Sequence, residues 1–300
     1  MKKIFLIIFI FCACPLMAQQ SIPLWPKGAM PNSRGMNISD SVVNERLFKV
    51  GQPDIEVYTP SKDENRNFAV LVIPGGGYSR EVIVASGIQI AKYFNTLGAT
   101  AFVLKYRLPQ SPDVIHPELA ALQDGQRAIK LIRAMAEKYH YDVNKVGVFG
   151  TSAGGHLGAL LGTTTEDVTE VKDSLSSYSS CPDYMILLSP LISLADPYAH
   201  KDSRDYLLGK NASKYMIDKY SPHLHVTEAT PPTLLIQAND DPTVPSFNSA
   251  LMYLALREKG INASLHIFPH GQHMINLSRN PISTELWIPL VKSWFEELSY

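Results

Sequence analysis

The segment Val146–His156 has the sequence VGVFGTSAGGH, in which three local patterns follow one another. Its first residues are apolar and predict a buried strand, and its last residues begin the apolar spacing of a helix. The turn between them is G-x-S-x-G, which exposes a serine on a sharp bend when a strand precedes it and a helix follows. We expect Gly150 and Gly154 to lie where a Cβ would collide with a neighbouring strand or helix. Ser152 then presents its hydroxyl beside a helix N-terminus, which favours negative charge.

The N-terminal residues predict an export signal. Met1 and two lysines give a basic start, Ile4–Phe11 is a continuous apolar run, and small or neutral residues continue to Ala18. This pattern is typical of a secretory signal peptide, and its apolar run is too short for a membrane span. We therefore expect residues 1–18 to be removed after Ala18, which leaves a secreted or periplasmic chain. Lipid attachment at Cys12 or Cys14 is the less favoured alternative, because the residues before Cys14 match a lipoprotein site poorly.

The composition favours one large domain with its own core. Hydrophobic residues make up 45% of the 300, charged residues only 18%, and the net charge is −1. Because no basic run is present to neutralise a row of phosphates, we expect no nucleic-acid partner. Once the signal is removed, Cys181 is the one remaining cysteine. An intramolecular disulfide is then impossible, and the core has to hold the fold.

Strand and helix patterns alternate along the chain after an extended N-terminal arm, residues 19–53, which we expect Trp25 to anchor. An α/β domain follows over residues 54–300. Alternation of this kind predicts a mostly parallel sheet with helices on both faces. Apolar or alternating runs predict strands at 54–59, 68–73, 99–104, 146–149, 183–190, 233–238 and 263–268. Helical spacing predicts helices at 86–97, 117–139, from His156 to about 162, 246–259 and 283–298. Residues 191–230 interrupt the pattern as a short insert at the rim, with one short helix at 214–219.

Partners for the serine should lie on loops just past the carboxyl ends of strands. A serine hydroxyl needs a base to take its proton and a group that orients the base. Asp240 and Asp241 follow the strand 233–238, and His270 and His273 follow the strand 263–268. We favour His273 as the base, because Gly271 permits a tight loop that turns it towards Ser152, and His270 is the rival. Asp241 is preferred over Asp240 on the slight ground that Asp-Pro forms a defined turn.

Three other histidines have simpler interpretations. His156 lies on the helix after Ser152, so we expect it to pack beneath the turn. His223 and His225 form an H-x-H pair, but no third ligand has suitable spacing, and a rim role is favoured over a metal site. The sequence predicts no metal and no cofactor.

Acyl transfer also needs N–H donors directed at the developing oxyanion. Gly75, Gly76 and Gly77 follow a predicted central strand and have no side chains in the way. We expect the backbone N–H groups of Gly76 and Gly77, together with that of Ala153, to form this oxyanion hole. A phosphate-binding loop is the alternative, but no Gly-Lys-Ser/Thr follows the glycines.

These motifs together resemble the α/β-hydrolase superfamily, specifically its carbohydrate-esterase-like branch of acetylxylan esterases and feruloyl-esterase-like domains. The resemblance extends from about Asp54 to the end. The matching pieces are PGGGY at 74–78, YRL at 106–108, GTSAGGH at 150–156, DPTVP at 241–245 and FPHGQH at 268–273. The resemblance implies an α/β-hydrolase fold, with Ser152, Asp241 and His273 as the catalytic triad. It strengthens the choice of Asp241. Pro74 stands where many esterases have histidine, and Gln272 stands where glycine is usual.

The leading hypothesis is a secreted serine esterase that removes acetyl groups from plant polysaccharide or oligosaccharide, such as acetylated xylan. The sugar part depends on the resemblance. Tyr78 and Gln272 are candidate substrate-binding residues, and Tyr198 and Tyr206 are expected to line the rim. The rivals are a lipid or aryl carboxylesterase, a prolyl-oligopeptidase-like peptidase, and a non-catalytic sugar-binding protein. Glycoside hydrolysis is not expected, because it needs two carboxyl groups facing a sugar bond.

Overall fold

The computed structural model describes residues 20–273, 277 and 281–300. The predicted signal segment lies outside the described residues. Ten strands are present: β1 Ser21–Pro23, β2 Ser41–Val43, β3 Arg46–Lys49, β4 Asp54–Tyr58, β5 Phe68–Ile73, β6 Ala99–Lys105, β7 Val146–Thr151, β8 Met185–Leu188, β9 Thr233–Ala238 and β10 Ala263–Phe268. Eight α-helices accompany them: α1 Gln89–Thr96, α2 Pro117–Ala134, α3 Ala136–Tyr139, α4 Ala153–Thr163, α5 Lys201–Leu208, α6 Lys214–Lys219, α7 Phe247–Glu258 and α8 Pro281–Glu297.

Eight of the strands form one sheet in the order β1-β4-β6-β5-β7-β8-β9-β10. The six strands from β6 to β10 run parallel, and β4 and β1 are antiparallel additions at one edge. Every residue of β5 and of β7 is buried. Uniform burial explains why both sequences lack polar alternation, since helices cover both faces of these strands. The predicted mostly parallel sheet is confirmed.

Two hydrophobic layers cover the sheet. Side chains of α2, α4 and α7, including Ile129, Leu157 and Leu256, pack in the layer on one face. Phe94 of α1 and Trp287 of α8 belong to the layer on the other face. The prediction of helices on both faces is therefore confirmed.

The N-terminal arm is part of the main sheet, because β1 pairs with β4. Trp25, which we expected to anchor the arm, is 2% exposed and donates from Nε1 to Asp124 Oδ1 at 2.8 Å. Asp124 also accepts hydrogen bonds from the backbone N–H and the guanidinium of Arg107. The arm is thus attached to the core by a hydrogen bond from Trp25 to Asp124, which forms a buried ion pair with Arg107.

The helices differ from the prediction at several points. The expected helix 86–97 begins as a π-helix, Val84–Ile88, and continues as α1. The expected helix 117–139 is divided at Met135, whose φ and ψ are −98° and 8°, so α2 and a final single turn, α3, replace it. The insert contains α5 in addition to the predicted α6. Asp202 and Tyr206 of α5 line a cleft that Ser152 also lines.

Candidate active site

Ser152 occupies the turn between β7 and α4 in a conformation that side chains rarely adopt. Its φ is 58° and its ψ is −120°. The turn is fixed by the Ser152 N–H, which donates to Leu188 O at 3.0 Å, and by the Ser152 carbonyl, which accepts from the N–H of His156 and of Leu191. Surrounding structure has to stabilise a positive φ of this kind, and such residues cluster at functional sites. The expected sharp bend is present.

The two glycines that flank the serine are required by close backbone contacts. A Cβ on Gly150 would lie 2.3 Å from Gly154 O, and a Cβ on Gly154 would lie 2.2 Å from Ile73 O. Real Cβ atoms do not approach oxygen so closely. The predicted collisions with the following helix and the neighbouring strand are therefore confirmed.

Asp241 and His273 lie side by side. His273 Nδ1 is 2.7 Å from Asp241 Oδ2, and the Asp241 side chain is completely buried. Asp241 Oδ1 accepts from the N–H of Thr243 at 2.8 Å and from that of Val244 at 2.9 Å. Because a carboxylate only accepts hydrogen bonds, the Nδ1–H group of His273 is the donor in this contact.

The neighbouring Asp240 binds the backbone of the loop before His273. Its Oδ1 accepts from the N–H of Gln272 at 2.8 Å and from that of Gly271 at 2.9 Å. The Gln272 N–H is the largest of the influences that hold the pKa of Asp240 below its usual value. His270 lies 3.4 Å from Asp240 and points largely into solvent. Asp240 therefore fixes the loop that carries His273, a role that the sequence did not indicate.

The glycine loop after β5 approaches the serine closely. A Cβ on Gly75 would lie 3.1 Å from Ser152 Cβ. The Gly75 N–H donates to Ser86 Oγ at 3.1 Å. Within the described ranges, the N–H groups of Gly76, Gly77 and Ala153 have no protein acceptor. Gly76 and Gly77 also line the cleft that contains Ser152, and Ala153 directly follows that serine.

A cleft of about 320 Å³ joins these pieces. Ser152, His273 and the three glycines of the loop, residues 75–77, all line it. Most of the other lining side chains are polar: Ser79, Arg80, Ser86, His200, Asp202, Tyr206 and Thr243. The cleft therefore suits a ligand that carries hydrogen-bonding groups.

His200 and Asp202, at the start of α5, are lining residues that we did not predict. His200 precedes α5 and its Nδ1 accepts from the Ser203 N–H, so it caps the helix. Burial lowers the pKa of His200. An N-cap residue three positions before a serine was the available signal, but histidine is a rare cap and the helix is short.

Tyr78 does not have the position that we expected. Its side chain is fully buried, and its hydroxyl donates to His156 Nδ1 at 2.7 Å. His156 Nε2 donates in turn to Tyr220 O at 2.8 Å, and burial lowers the pKa of His156 to about 4. His156 thus packs beneath the turn as predicted. The prediction that Tyr78 binds substrate is wrong, because its side chain supports that turn and cannot reach the cleft.

The remaining candidates are distributed around the rim. Gln272 is exposed directly before His273, and its contact with substrate stays a prediction. Tyr206 lines the cleft, whereas Tyr198 stacks on Phe247 with ring centroids 5.0 Å apart. His225 Nε2 contacts Asp218 O at 2.9 Å.

Neither a metal site nor a membrane span is found in the part of the chain that the structure describes. Within those residues, no three His, Cys, Asp or Glu side chains are grouped to hold a metal ion. No helix there combines the length and apolar character needed to cross a bilayer.

Comparison with known proteins gives consistent matches. The model of the family described as BD-FAE matches residues 55–256. Acetylxylan esterase of Xylanibacter ruminicola is 33% identical over 227 residues, which are 74% of this chain and 44% of that protein. Endo-1,4-beta-xylanase B of Butyrivibrio fibrisolvens is 34% identical over 229 residues, which are 76% of this chain and 35% of that protein. The chain thus spans less than half the length of these curated relatives.

Solved structures that match the chain over most of its length include a hydrolase of 35% sequence identity. It is the acetyl ester-xyloside bifunctional hydrolase from Caldicellulosiruptor lactoaceticus, with a TM-score of 0.80 and 35% identity. The match covers 94% of this chain and 97% of that one.

Proposed function

The chain belongs to the BD-FAE family, and from this premise we propose that it is an exported serine esterase that deacetylates xylan or xylo-oligosaccharide. Ser152, His273 and Asp241 are its triad, and the reaction passes through an acetyl-enzyme. The observation that carries the proposal is the 2.7 Å contact between Asp241 and His273 in the cleft that contains Ser152. The names of the similar esterases support an acetyl ester as the bond that is cleaved and a xylan-derived sugar as its alcohol.

In the first half of the reaction, Ser152 Oγ attacks the acetyl carbonyl carbon while His273 Nε2 takes the hydroxyl proton. Asp241 stabilises the resulting imidazolium through the hydrogen bond to Nδ1. The N–H groups of Gly76, Gly77 and Ala153 donate to the oxyanion, where each such donor contributes about 3 kcal/mol. His273 then returns the proton to the sugar oxygen, the ester bond breaks, and the alcohol leaves.

In the second half, water takes the place of the serine hydroxyl. His273 removes a proton from water as its oxygen attacks the acetyl carbon, and the same N–H groups stabilise the second oxyanion. Collapse breaks the bond to Ser152 Oγ, which regains a proton from His273. Acetate and the original enzyme result.

The test is hydrolysis of 4-nitrophenyl acetate together with acetate release from acetylated xylo-oligosaccharides of increasing length. We expect Ser152→Ala to lose at least about 10³-fold in kcat on both substrates. Wild-type rates from the folded Ser152→Ala protein would overturn the proposal. Failure of a fluorophosphonate to label Ser152 in the wild type would instead favour a non-catalytic sugar-binding protein.

A substrate panel separates the remaining esterase and peptidase alternatives. Short lipid esters, longer 4-nitrophenyl esters and N-acylated peptides would be compared with the acetylated oligosaccharides by kcat/KM. A higher kcat/KM on a lipid ester or a peptide would reject the sugar assignment while leaving the serine mechanism intact.

Xyloside hydrolysis is a second candidate activity, favoured by the name of the structural relative that covers the chain. Against it, Asp202 is the one exposed carboxylate that lines the cleft among the described residues. Asp241 is buried behind His273. Release of 4-nitrophenol from the β-xyloside by the wild type and by Ser152→Ala would establish this activity and show whether it uses the same serine.

Export follows from the predicted signal at residues 1–18. Mass spectrometry of protein from the native host should find Gln19 at the mature N-terminus. A lipidated cysteine at the mature N-terminus would instead show that the exported protein is anchored to a membrane.

A further inference from the structure

His200 is a polar side chain of the cleft to which the reaction described above gives no role. It lies at the start of α5 in the insert and lines the cleft with Ser152 and His273. We propose that His200 determines specificity: its Nε2–H donates a hydrogen bond to a hydroxyl oxygen of the sugar from which the acetyl group is removed. This inference rests on the proposed esterase function and identifies the part of the substrate that the insert recognises.

The hydrogen bonds of the ring decide which nitrogen carries the proton. His200 Nδ1 accepts from the Ser203 N–H at 3.4 Å and lies 2.8 Å from Ser203 Oγ. A nitrogen that accepts from a backbone N–H has no proton of its own, so the neutral ring carries its proton on Nε2. Burial lowers the pKa of His200, which keeps the ring neutral near pH 7. The side chain therefore offers one donor, at Nε2.

Among the described residues, His200 Nε2 has no protein partner. The ring lies against the glycine loop, since its Cε1 is 3.9 Å from the position of a Cβ on Gly77. The ring therefore lies beside the glycine loop, in the cleft that contains Ser152.

The surroundings indicate which half of the ester meets His200. His200 lines the same cleft as His273 and Ser152, so a group held beside His273 shares that cleft with the ring. His273 delivers its proton to the leaving oxygen, and the alcohol therefore departs on that side. A sugar hydroxyl can accept from Nε2–H, whereas an acetyl methyl group cannot. Asp202 and Tyr206, from the same helix, complete a polar surface for the sugar.

The experiment removes Nε2 while keeping the helix cap. In His200→Asn, the amide oxygen takes the place of Nδ1 as an acceptor, and asparagine is a favourable N-cap. In His200→Gln, the longer side chain returns an N–H donor near the position of Nε2. His225→Asn is the matched control, because His225 belongs to the same insert but lies outside the cleft.

The quantity measured is the ratio of kcat/KM on an acetylated xylo-oligosaccharide to kcat/KM on 4-nitrophenyl acetate, whose alcohol has no second hydroxyl. Loss of one neutral hydrogen bond should lower this ratio roughly tenfold in His200→Asn. His200→Gln should recover most of the loss, and His225→Asn should keep the wild-type ratio. Circular dichroism confirms that each variant is folded.

An unchanged ratio in folded His200→Asn would overturn the inference. So would a glutamine variant with a ratio no higher than the asparagine variant, since a structural role alone would not respond to the regained donor. Failure of the proposed function looks different: the wild type would be inactive on both esters, or Ser152→Ala would remain active. The two failures are therefore distinguishable.

Discussion

Two adjacent carboxylates, Asp240 and Asp241, follow the same strand and perform different tasks. The difference lies in what each oxygen accepts. Asp241 accepts from the His273 ring, whereas Asp240 accepts from the backbone of Gly271 and Gln272. From the sequence, Asp241 was preferred over Asp240 only by a slight turn argument and by a family resemblance. The reason is that the direction of a side chain after a strand depends on the loop conformation.

Asp241→Asn should lower kcat about 10³- to 10⁴-fold on 4-nitrophenyl acetate. The N–H groups of Thr243 and Val244 hold Oδ1 in place. The asparagine amide would therefore turn its NH₂ towards His273. His273 would then carry its proton on Nε2 and could not accept one from Ser152.

Asp240→Asn is the matched control for this prediction. The asparagine carbonyl still accepts from Gly271 and Gln272, so the His273 loop is retained, and kcat should fall less than about tenfold. Equal losses in the two variants would contradict the assignment of Asp241. A larger loss in Asp240→Asn would assign the orienting role to Asp240.

At the scale of elements, sequence patterns succeeded where burial imposed a regular period. The predicted limits of β5, β9 and β10 agree with the structure. Helix α5 was missed because its sequence, KDSRDYLL, buries only Ser203 and Leu207. Two buried positions give no helical periodicity, so the His200 cap is the main local sign of this element.

The predicted helix 117–139 is helical on both sides of Met135, and only the break at Met135 was missed. Apolar residues continue beyond Met135, but the helix is interrupted there. The single turn α3 that follows ends at His140, which has the left-handed conformation with φ of 57°. The Tyr141 hydroxyl then donates back to Ile132 O at 2.6 Å. A tertiary contact of this kind leaves no trace in hydrophobic spacing.

The attachment of the arm to α2 can be tested through its contribution to stability. Asp124 binds Trp25 and Arg107, and both charged side chains of the pair are 2% exposed or less. Asp124→Ala should lower the free energy of unfolding by about 3 to 5 kcal/mol, because it leaves the guanidinium buried without a counter-charge. Urea unfolding measures this change.

An exposed ion pair serves as the control for Asp124. Lys214 and Asp218 form an i,i+4 pair on α6, and the Lys214 side chain is 86% exposed. Lys214→Ala should therefore change the free energy of unfolding by less than about 0.5 kcal/mol. A similarly small change in Asp124→Ala would mean that the arm is not held through this carboxylate.

For the whole molecule, the α/β-hydrolase fold predicted from the sequence is confirmed by the sheet, by its helical layers and by the similar hydrolase structure. The sequence predicted the elements that carry Ser152, Asp241 and His273, since parallel strands bring their carboxyl ends to one rim. It could not predict the shape of the insert above that rim. The polar rim side chains of α5 depend on long-range packing that local patterns do not encode.

Buried titratable groups also give the whole molecule a pH-dependent stability. His156 has a pKa of about 4 in the folded protein, against 6.5 for an ordinary histidine, because burial disfavours its charged form. The unfolded chain therefore binds more protons between those values, and stability falls as the pH is lowered through this window. Glu81 acts in the opposite direction, since burial raises its pKa and the folded state binds the extra proton.

The contribution of His156 can be isolated by difference. As the pH falls from about 6.5 to about 4, wild-type protein should lose about 3 kcal/mol of unfolding free energy through this residue. His156→Gln cannot titrate, so its loss over the same window should be smaller by that amount, whatever its stability at pH 7. His225→Gln, at an exposed position, should follow the wild-type curve. Urea unfolding at half-unit pH intervals measures all three proteins. Parallel curves for the wild type and His156→Gln would contradict this prediction. They would show that His156 accepts its proton in the folded state, although its ring is buried between Tyr78 and Tyr220.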